Sequence, residues 1–293
     1  MVHWDGSTLG AWRDELNRSD VLINLAGRSV NCRYTEKNRR AILDSRVLST
    51  QVLHQAMATV EHPPAVWLNA STATIYRHAL DRPMDEATGE LGGNEAGAPN
   101  TWNFSIEVAR AWETAFLSTP TPETRKVAMR SAMTFSADRG GVFDTFLNLV
   151  RYGLGGTTLP GTQFVSWIHE VDFIRAIEFL IDRKELTGTV NLASPNPLPN
   201  RAFLRILRNA WGARVGLPAT RWMLEVGTLL LRTESELVLK SRRVVPGRLL
   251  SAGFQFSYPT WPEAARDLVR QWRRAQSPSG KGSVIPHPGS PES

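Results

Sequence analysis

The chain has 293 residues, 42% of them hydrophobic, enough to bury a sizeable core in one large domain or in a domain with a smaller companion. Its single cysteine, Cys32, excludes an intrachain disulfide; no CxxC or Cys/His cluster offers a zinc site, and the first residues lack the apolar stretch of a signal peptide, so a reducing cytoplasm is the expected compartment. The formal charge of +6 is concentrated between Lys240 and Arg274, where Lys240, Arg242, Arg243, Arg248, Arg266, Arg270, Arg273 and Arg274 stand against Glu263 and Asp267. These cations are interleaved with VVPGRLL and AGFQFSYP, not with stacking aromatics. A solvated face is the first expectation, an anionic small ligand or protein partner the second, and nucleic acid is not expected.

Residues 20–29, DVLINLAGRS, are an apolar run broken only by Asn24 and too short for a buried helix, which predicts an interior strand of a parallel sheet. Thr35 then fits the N-cap of a long amphipathic helix, with Ile42, Val47, Leu48, Val52 and Leu53 at helical spacing, and His62-Pro63-Pro64 stops it. AVWLNASTATIY reads as a second buried strand. A Gly/Pro-rich excursion at 77–101 leads to the helix WNFSIEVARAWETAFLS, with Phe104, Val108, Trp112 and Ala115 on one face, and KVAMRSAMTF is a third strand. Strands alternating with crossover helices predict an α/β fold, a doubly wound parallel sheet.

Beyond Gly140, FDTFLNLVRYGLGG predicts a helix closed by glycines, FVSWIHEVDFIRAIEFLIDR a short strand running into a helix, GTVNLAS a strand, and LPNRAFLRILRNAWG a helix. The expected organisation is a first domain over 1–200, with substrate-side elements from about 140, and a small α+β domain over 201–275. The segment WMLEVGTLLLR at 222–232 contains Glu225 and falls short of the roughly 20 residues a membrane span needs. No membrane association is expected. A Pro/Ser/Gly-rich stretch over 276–293 reads as a disordered tail.

The ordered segments INLAGRSVNCRYT, SRVLST, NASTATIY, ARAWE, YGLGG, FVSWIHEVD and VVPGRLLSAGFQFSYP, spanning about residues 3–273, resemble the atypical extended short-chain dehydrogenase/reductase family of NAD-dependent epimerase/dehydratase-like proteins that carry their own C-terminal domain of unknown function. The resemblance implies a Rossmann-like domain binding NAD or NADP, with epimerase, dehydratase or reductase chemistry on a small, in some cases nucleotide-linked, substrate. Family members begin with a strand, a glycine-rich turn and a helix before the equivalent of HWDGSTLG, which here starts at His3. The glycine cluster Gly153, Gly155, Gly156 and Gly161 does not substitute, because Thr158 occupies the place of a required glycine and the cluster follows a helix. The expected fold therefore lacks its first βαβ unit, and binding of NAD or NADP is expected to be impaired. An internal start of the sequence accounts for this; a shortened protein whose open edge is capped by a homodimer or a protein partner is the alternative.

The catalytic pair of this class is Tyr-x-x-x-Lys, and none of the four tyrosines has a lysine four positions on; Phe104 and Val108 occupy the two places. Thr72 matches the family's Ser/Thr position, to hold a substrate oxygen or to satisfy the strand-end backbone. Tyr76 follows four residues later as a second candidate or a packing tyrosine. His169 is a candidate acid/base or a backbone-bonded core histidine, and Asp172 its structural partner or a cap. For the cofactor, the resemblance assigns Asp5 to the adenine end, Ala26 and Gly27 to close backbone approach, and Ala70, Ser71, Ala132 and Thr134 to the nicotinamide side. Arg28 and Arg46 are offered to phosphate or ribose. A regulatory, non-catalytic dinucleotide-fold protein, for example one linked to cell division, is the alternative to an enzyme.

Overall fold

The computed structural model describes residues 1–93, 95, 100–157, 160–217 and 240–276. The run at 20–29 forms β1 (Val21–Asn24). Thr35 then accepts the Asn38 N–H at 3.3 Å to open α1 (Glu36–Met57), a cap contributing about 1 kcal/mol. β2 (Val66–Thr72) ends in a 3-10 turn at Ala73–Ile75, and α2 (Asn100–Leu117) returns the chain to β3 (Arg125–Ser131). Next come β4 (Met133–Phe135), α3 (Val142–Arg151), β5 (Phe164–Val165), β6 (Trp167–His169), α4 (Glu170–Asp182) and β7 (Gly188–Leu192). The last described elements are β8 (Leu198–Pro199), α5 (Asn200–Trp211), α6 (Gly247–Ser251) and α7 (Trp261–Gln276).

The main sheet is parallel, in the order β1-β2-β3-β7. Strand alternation divides its side chains between two covers. Trp67 and Ala128 pack against Leu53, Ala56 and Met57 of α1 and Phe116 of α2. On the opposite face Val66, Leu68, Val127, Met129, Val190 and Leu192 pack against Ala176 and Leu180 of α4, with Leu249 of α6 and Phe254. Helices on both faces are what the sequence pattern predicts for a doubly wound sheet. A second core joins Phe135, Phe143, Phe146 and Trp167 to Phe203 and Leu207 of α5 and to Trp261, Leu268 and Trp272 of α7. Gly212, at φ +90°, ends α5 in the left-handed conformation glycine adopts without strain.

Three expectations need correction. KVAMRSAMTF is not one strand: the chain turns at Ala132, whose N–H donates to Leu192 O at 2.9 Å, and β4 pairs with β6 in a separate two-stranded sheet. β1, interior by its apolar run alone, is an edge strand among the described residues, in keeping with the open edge expected beside the missing first βαβ unit. It pairs with β2 alone, and Ile23 and Leu25 remain 42% and 57% exposed. Nor is the basic segment one solvated face. Residues 240–245 thread between the 76–84 loop and β5, with Ala79 N–H donating to Ser241 O, Arg242 N–H to Phe164 O and Val245 N–H to Met84 O. Lys240 and Arg242 are consequently buried, while Arg266, Arg270, Arg273 and Arg274 on α7 are exposed. WMLEVGTLLLR, Thr158 and the tail from Ser277 lie outside the described residues. Among the described residues no helix is long and apolar enough to cross a membrane, and no cluster of metal-ligating side chains occurs.

An exposed apolar strand edge is a template for pairing with another chain. Ile23→Lys is expected to suppress concentration-dependent association in light scattering while moving unfolding stability by no more than about 0.5 kcal/mol; association that persists unchanged in the variant assigns it to another surface.

Candidate functional site

A cavity of about 430 Å³ opens at the carboxyl ends of β2 and β3, where open parallel sheets bind their ligands. Ala70, Ser71, Thr72, Ala73 and Thr74 form one side and Ser131, Ala132, Met133 and Thr134 another. Ile42 and Arg46 of α1, and Phe104, Val108 and Trp112 of α2, close the wall nearest β1, and Phe173 and Arg242 contribute from α4 and the C-terminal segment. Six of the residues singled out in the sequence thus meet here: Arg46, Ala70, Ser71, Thr72, Ala132 and Thr134. Phe104 and Val108, in the positions of the missing Tyr and Lys, also face the cavity and make that wall apolar.

The two adjacent strand-end hydroxyls are polarised in opposite senses. Ser71 Oγ donates to Glu113 Oε1 at 2.6 Å, which turns its lone pairs toward a ligand. Thr72 Oγ1 accepts the Thr74 N–H at 3.2 Å, which leaves its O–H for a ligand oxygen. Beneath Ser71 lies a buried polar network. Glu113 receives Arg130 Nε at 2.8 Å and Nη2 at 2.7 Å, a bidentate pair. Arg130 Nη1 donates to Tyr76 Oη at 2.9 Å, and Tyr76 in turn donates to Asn191 Oδ1 at 3.0 Å. Glu86 accepts the Asn191 N–H at 2.7 Å. Burial raises the Tyr76 phenol above its ordinary range against the lowering effect of Arg130. Burial disfavours charge on Arg130, yet the Glu113 pair outweighs it and holds the guanidinium above its usual value. Tyr76 therefore lies behind the cavity wall as part of its support.

Arg46 is set by its own backbone surroundings. Its Nη1 donates to Ile42 O at 3.0 Å and Arg28 O at 3.1 Å, and its guanidinium lies 5.1 Å from the Trp112 ring centroid. Burial lowers its pKa. Gly27 packs against it: a Cβ there would come within 3.3 Å of Arg46 Cζ, so the glycine admits the guanidinium rather than lining the cavity itself. Ala26 N–H donates to Asn24 Oδ1 at 3.0 Å, and Arg28 is exposed, its Nη2 donating to Asn38 Oδ1 at 3.1 Å. Asp5 closes an exposed turn, accepting from Ser7 N–H and Thr8 N–H at 2.8 Å; the Thr8 hydroxyl and these amides hold its carboxyl well below the usual range. Asp5, Ala26, Gly27 and Arg28 are not in the cavity lining.

His169 is fully buried away from the cavity, as the N-cap of α4. Its Nδ1 accepts the Val171 N–H at 3.1 Å, so the neutral ring carries its proton on Nε2, which faces Asp267 Oδ2 at 3.3 Å; the ring stacks on Tyr258 at 4.0 Å. Asp172 accepts the Ser257 and Tyr258 N–H groups at 2.7 and 2.8 Å and so ties FSYP to α4. Burial pushes the Asp267 carboxyl up, but hydrogen bonds from Arg270, Gln271 and Tyr258 outweigh that and hold it low. The sequence analysis singled out Arg242 only as part of the basic segment, and Glu113, Arg130 and Asn191 not at all. An arginine inside the apolar strand KVAMRS was the signal for a buried partner; Arg242 gave none beyond its charge.

A parallel doubly wound sheet with a crevice at its strand ends defines a Rossmann-like protein. The human epimerase family protein SDR39U1 (isoform 2), crystallised with NADPH, superposes with a TM-score of 0.77 at 27% identity, covering 88% of this chain and 86% of that one. A nucleoside-diphosphate sugar epimerase from Corynebacterium glutamicum superposes with a TM-score of 0.68 at 25% identity, covering 94% of this chain and 54% of that one. The profile of a domain of unknown function, DUF1731, matches residues 219–268. An epimerase family protein of Staphylococcus aureus strain N315 is 30% identical over 272 residues, 92% of this chain and 85% of the relative. The mouse protein SDR39U1 is 30% identical over 258 residues, 85% of this chain and 82% of its own. The chain belongs to this epimerase family, as the sequence motifs indicated.

Two outcomes test this arrangement. Removing one member of a buried ion pair strands the other, so Glu113→Ala is expected to cost about 3–5 kcal/mol in urea unfolding; a cost below about 1 kcal/mol means that the network is not the support of the site. Burial lowers the pKa of His54, His78 and His169 below the ordinary 6.5. The unfolded chain then takes up protons first as the pH falls, so the stability these neutral rings contribute is complete above about 6.5 and drains below it. The urea midpoint is expected to drop from pH 7.5 to 5.5, and less steeply in His169→Gln.

Proposed function

We propose that the cavity binds a nicotinamide dinucleotide and that the chain acts on a small substrate by epimerase, dehydratase or reductase chemistry. The observation that carries this reading is the lining. Ala70 and Ala132 present no bulk at the ends of β2 and β3, Thr72 and Ser71 offer a donor and an acceptor side by side, and Arg46 supplies positive charge at the α1 wall. The human relative solved with NADPH has the same fold at 27% identity. The residues present fit such a group.

When bound, the dinucleotide supplies hydride exchange with a substrate carbon. This chain's own part is binding and proton placement. Arg46 stands to meet a phosphate or ribose oxygen, already turned toward the cavity by its bonds to Ile42 O and Arg28 O. Thr72 directs its O–H at the substrate oxygen and stabilises negative charge developing there. Phe104 and Val108 exclude water from the same wall and transfer no proton.

NADPH and NADH titrated against the full chain, read by nicotinamide fluorescence and thermal shift, test the reading. A ligand that binds only the native state raises its apparent stability by mass action. Arg46→Gln is expected to weaken binding about tenfold, the loss of about 1.4 kcal/mol from a charge-assisted contact. Thr72→Ala is expected to leave cofactor binding in place and to abolish turnover. The absence of binding to either nucleotide overturns the proposal.

A further inference from the structure

Resting on the reading of the cavity as a dinucleotide site, we propose that its substrate is a compact, uncharged aryl or alkyl ketone, selected by Phe104 and Phe173. The lining is divided by chemistry. Ser71, Thr72, Ser131 and Thr134 place hydroxyls along the ends of β2 and β3 and on β4. Ser71 spends its hydrogen on Glu113 at 2.6 Å and Ser131 spends its own on Met129 O at 3.4 Å, while Thr72 is left as a donor. The sides are apolar: Phe104 and Val108 from α2, Met133 from β4, Val142 from α3 and Phe173 from α4. Of the hydroxyl side chains on the α1 and α2 side, Tyr34 and Ser105 each have an interaction within the protein. One polar strip between apolar sides suits a ligand with its oxygen at one edge. A sugar carries hydroxyls around its whole ring, and those set against phenyl and aliphatic groups would lose their water without gaining a partner.

The apolar sides are fixed by what lies behind them. The Phe104 ring meets Tyr34 edge-on at 5.1 Å, the Arg39 guanidinium lies 5.0 Å from its centroid, and Val108 packs with it against Ile42. Met133 and Val142 are backed by the second core, and Phe173 by the core under α4. Because α2 and α4 cover opposite faces of the sheet, Phe104 and Phe173 reach the cavity from different directions. Side chains packed in this way cannot turn aside, so a ligand meets them as a phenyl surface, against which an aryl ring packs offset or edge-on. The cations of the lining are engaged. Arg46 Nη1 donates to Ile42 O and Arg28 O, and Arg242 has its own interaction within the protein. Glu95 accepts the His78 N–H at 3.1 Å and acts on the same imidazole as Lys240 and Arg242, so that segment carries an acid among its cations. A cavity of about 430 Å³ has the size of a small-molecule site and takes a one-ring ketone beside a nicotinamide.

Propiophenone, glucose and glucose 1-phosphate, each titrated calorimetrically into the full chain with and without saturating NADPH, test the selectivity. The ketone is expected to bind about tenfold more tightly than either sugar, or better. Phe104→Ser is expected to weaken ketone binding about tenfold, through loss of buried phenyl surface, and Phe104→Leu to keep most of it. Ile174→Ser, on α4 but outside the lining and 55% exposed, is expected to leave it unchanged. Should Phe104→Ser fail to fold, Phe173→Asn, at a half-buried position, carries the same expectation. Equal binding of the three compounds, tighter binding of a sugar, no binding of the ketone, or undiminished ketone binding in whichever of the two variants folds overturns the proposal. Nicotinamide fluorescence reports NADPH separately. NADPH binding without preference for the ketone removes this proposal and leaves the cofactor reading; ketone binding without NADPH binding sinks the cofactor reading and leaves the selectivity of the cavity standing.

Discussion

A guanidinium and a carboxylate sealed under the strand ends hold this site in shape. Arg130 projects from the middle of the sheet and Glu113 from the helix that covers it, and each is less than a tenth exposed. Neither charge is tolerable there alone, so β3 and α2 are locked at one separation and one register. The lock is extended sideways by Tyr76 and Asn191 to β7, and by Glu86 to the loop that follows the 3-10 turn. Four parts of the chain, distant in sequence, thus share one satisfied polar network. A partly satisfied version of it would be worse than an apolar core.

The network also sets the chemistry at the surface above it. Because Ser71 donates its hydroxyl hydrogen to Glu113, it is left as an acceptor at the cavity wall, while its neighbour Thr72 is left as a donor. Two hydroxyl residues that look interchangeable in sequence acquire opposite roles. The difference arises from strand alternation: Ser71 is on the face toward α2, as Trp67 and Asn69 are, whereas Thr72 ends the strand against the 3-10 turn. Tyr76, the other hydroxyl of this stretch, is consumed by the support and does not reach the ligand.

Much of the fold was legible because it rests on local pattern. The run at 20–29, the helical stripe of α1, its Thr35 cap and the strand–helix alternation are properties of neighbouring residues, and the structure forms them where the pattern places them. Ala70, Ser71, Thr72, Ala132 and Thr134, which the family resemblance offered, meet at one cavity because strand ends in a parallel sheet converge on one edge. What was not legible depends on distant partners. That Lys240 and Arg242 are interior follows from bonds to distant partners: Lys240 Nζ donates to Thr74 O and the Arg242 N–H to Phe164 O. His169, offered as an acid/base or a core histidine, is a buried helix cap: its Nδ1 takes the Val171 N–H and its Nε2 faces Asp267. Asp5 and Arg28 were offered to a ligand, and the folded chain leaves them in exposed turns of their own.

The basic C-terminal segment brings these lines together. A run of charge read along the chain suggests one solvated face, but the chain divides it: the arginines of α7 remain outside, whereas residues 240–245 pass under the 76–84 loop and complete the cavity wall. Burying cations is costly unless they are paired or hydrogen-bonded. Lys240 is anchored to a carbonyl on the rim, and Arg242 is anchored by its backbone so that its side chain lies on the lining. The same segment closes the core on Val244 and adds positive charge to the cavity. Its position sets Arg242 on the cavity lining beside the ends of β2 and β3, across from the wall built by α1 and α2.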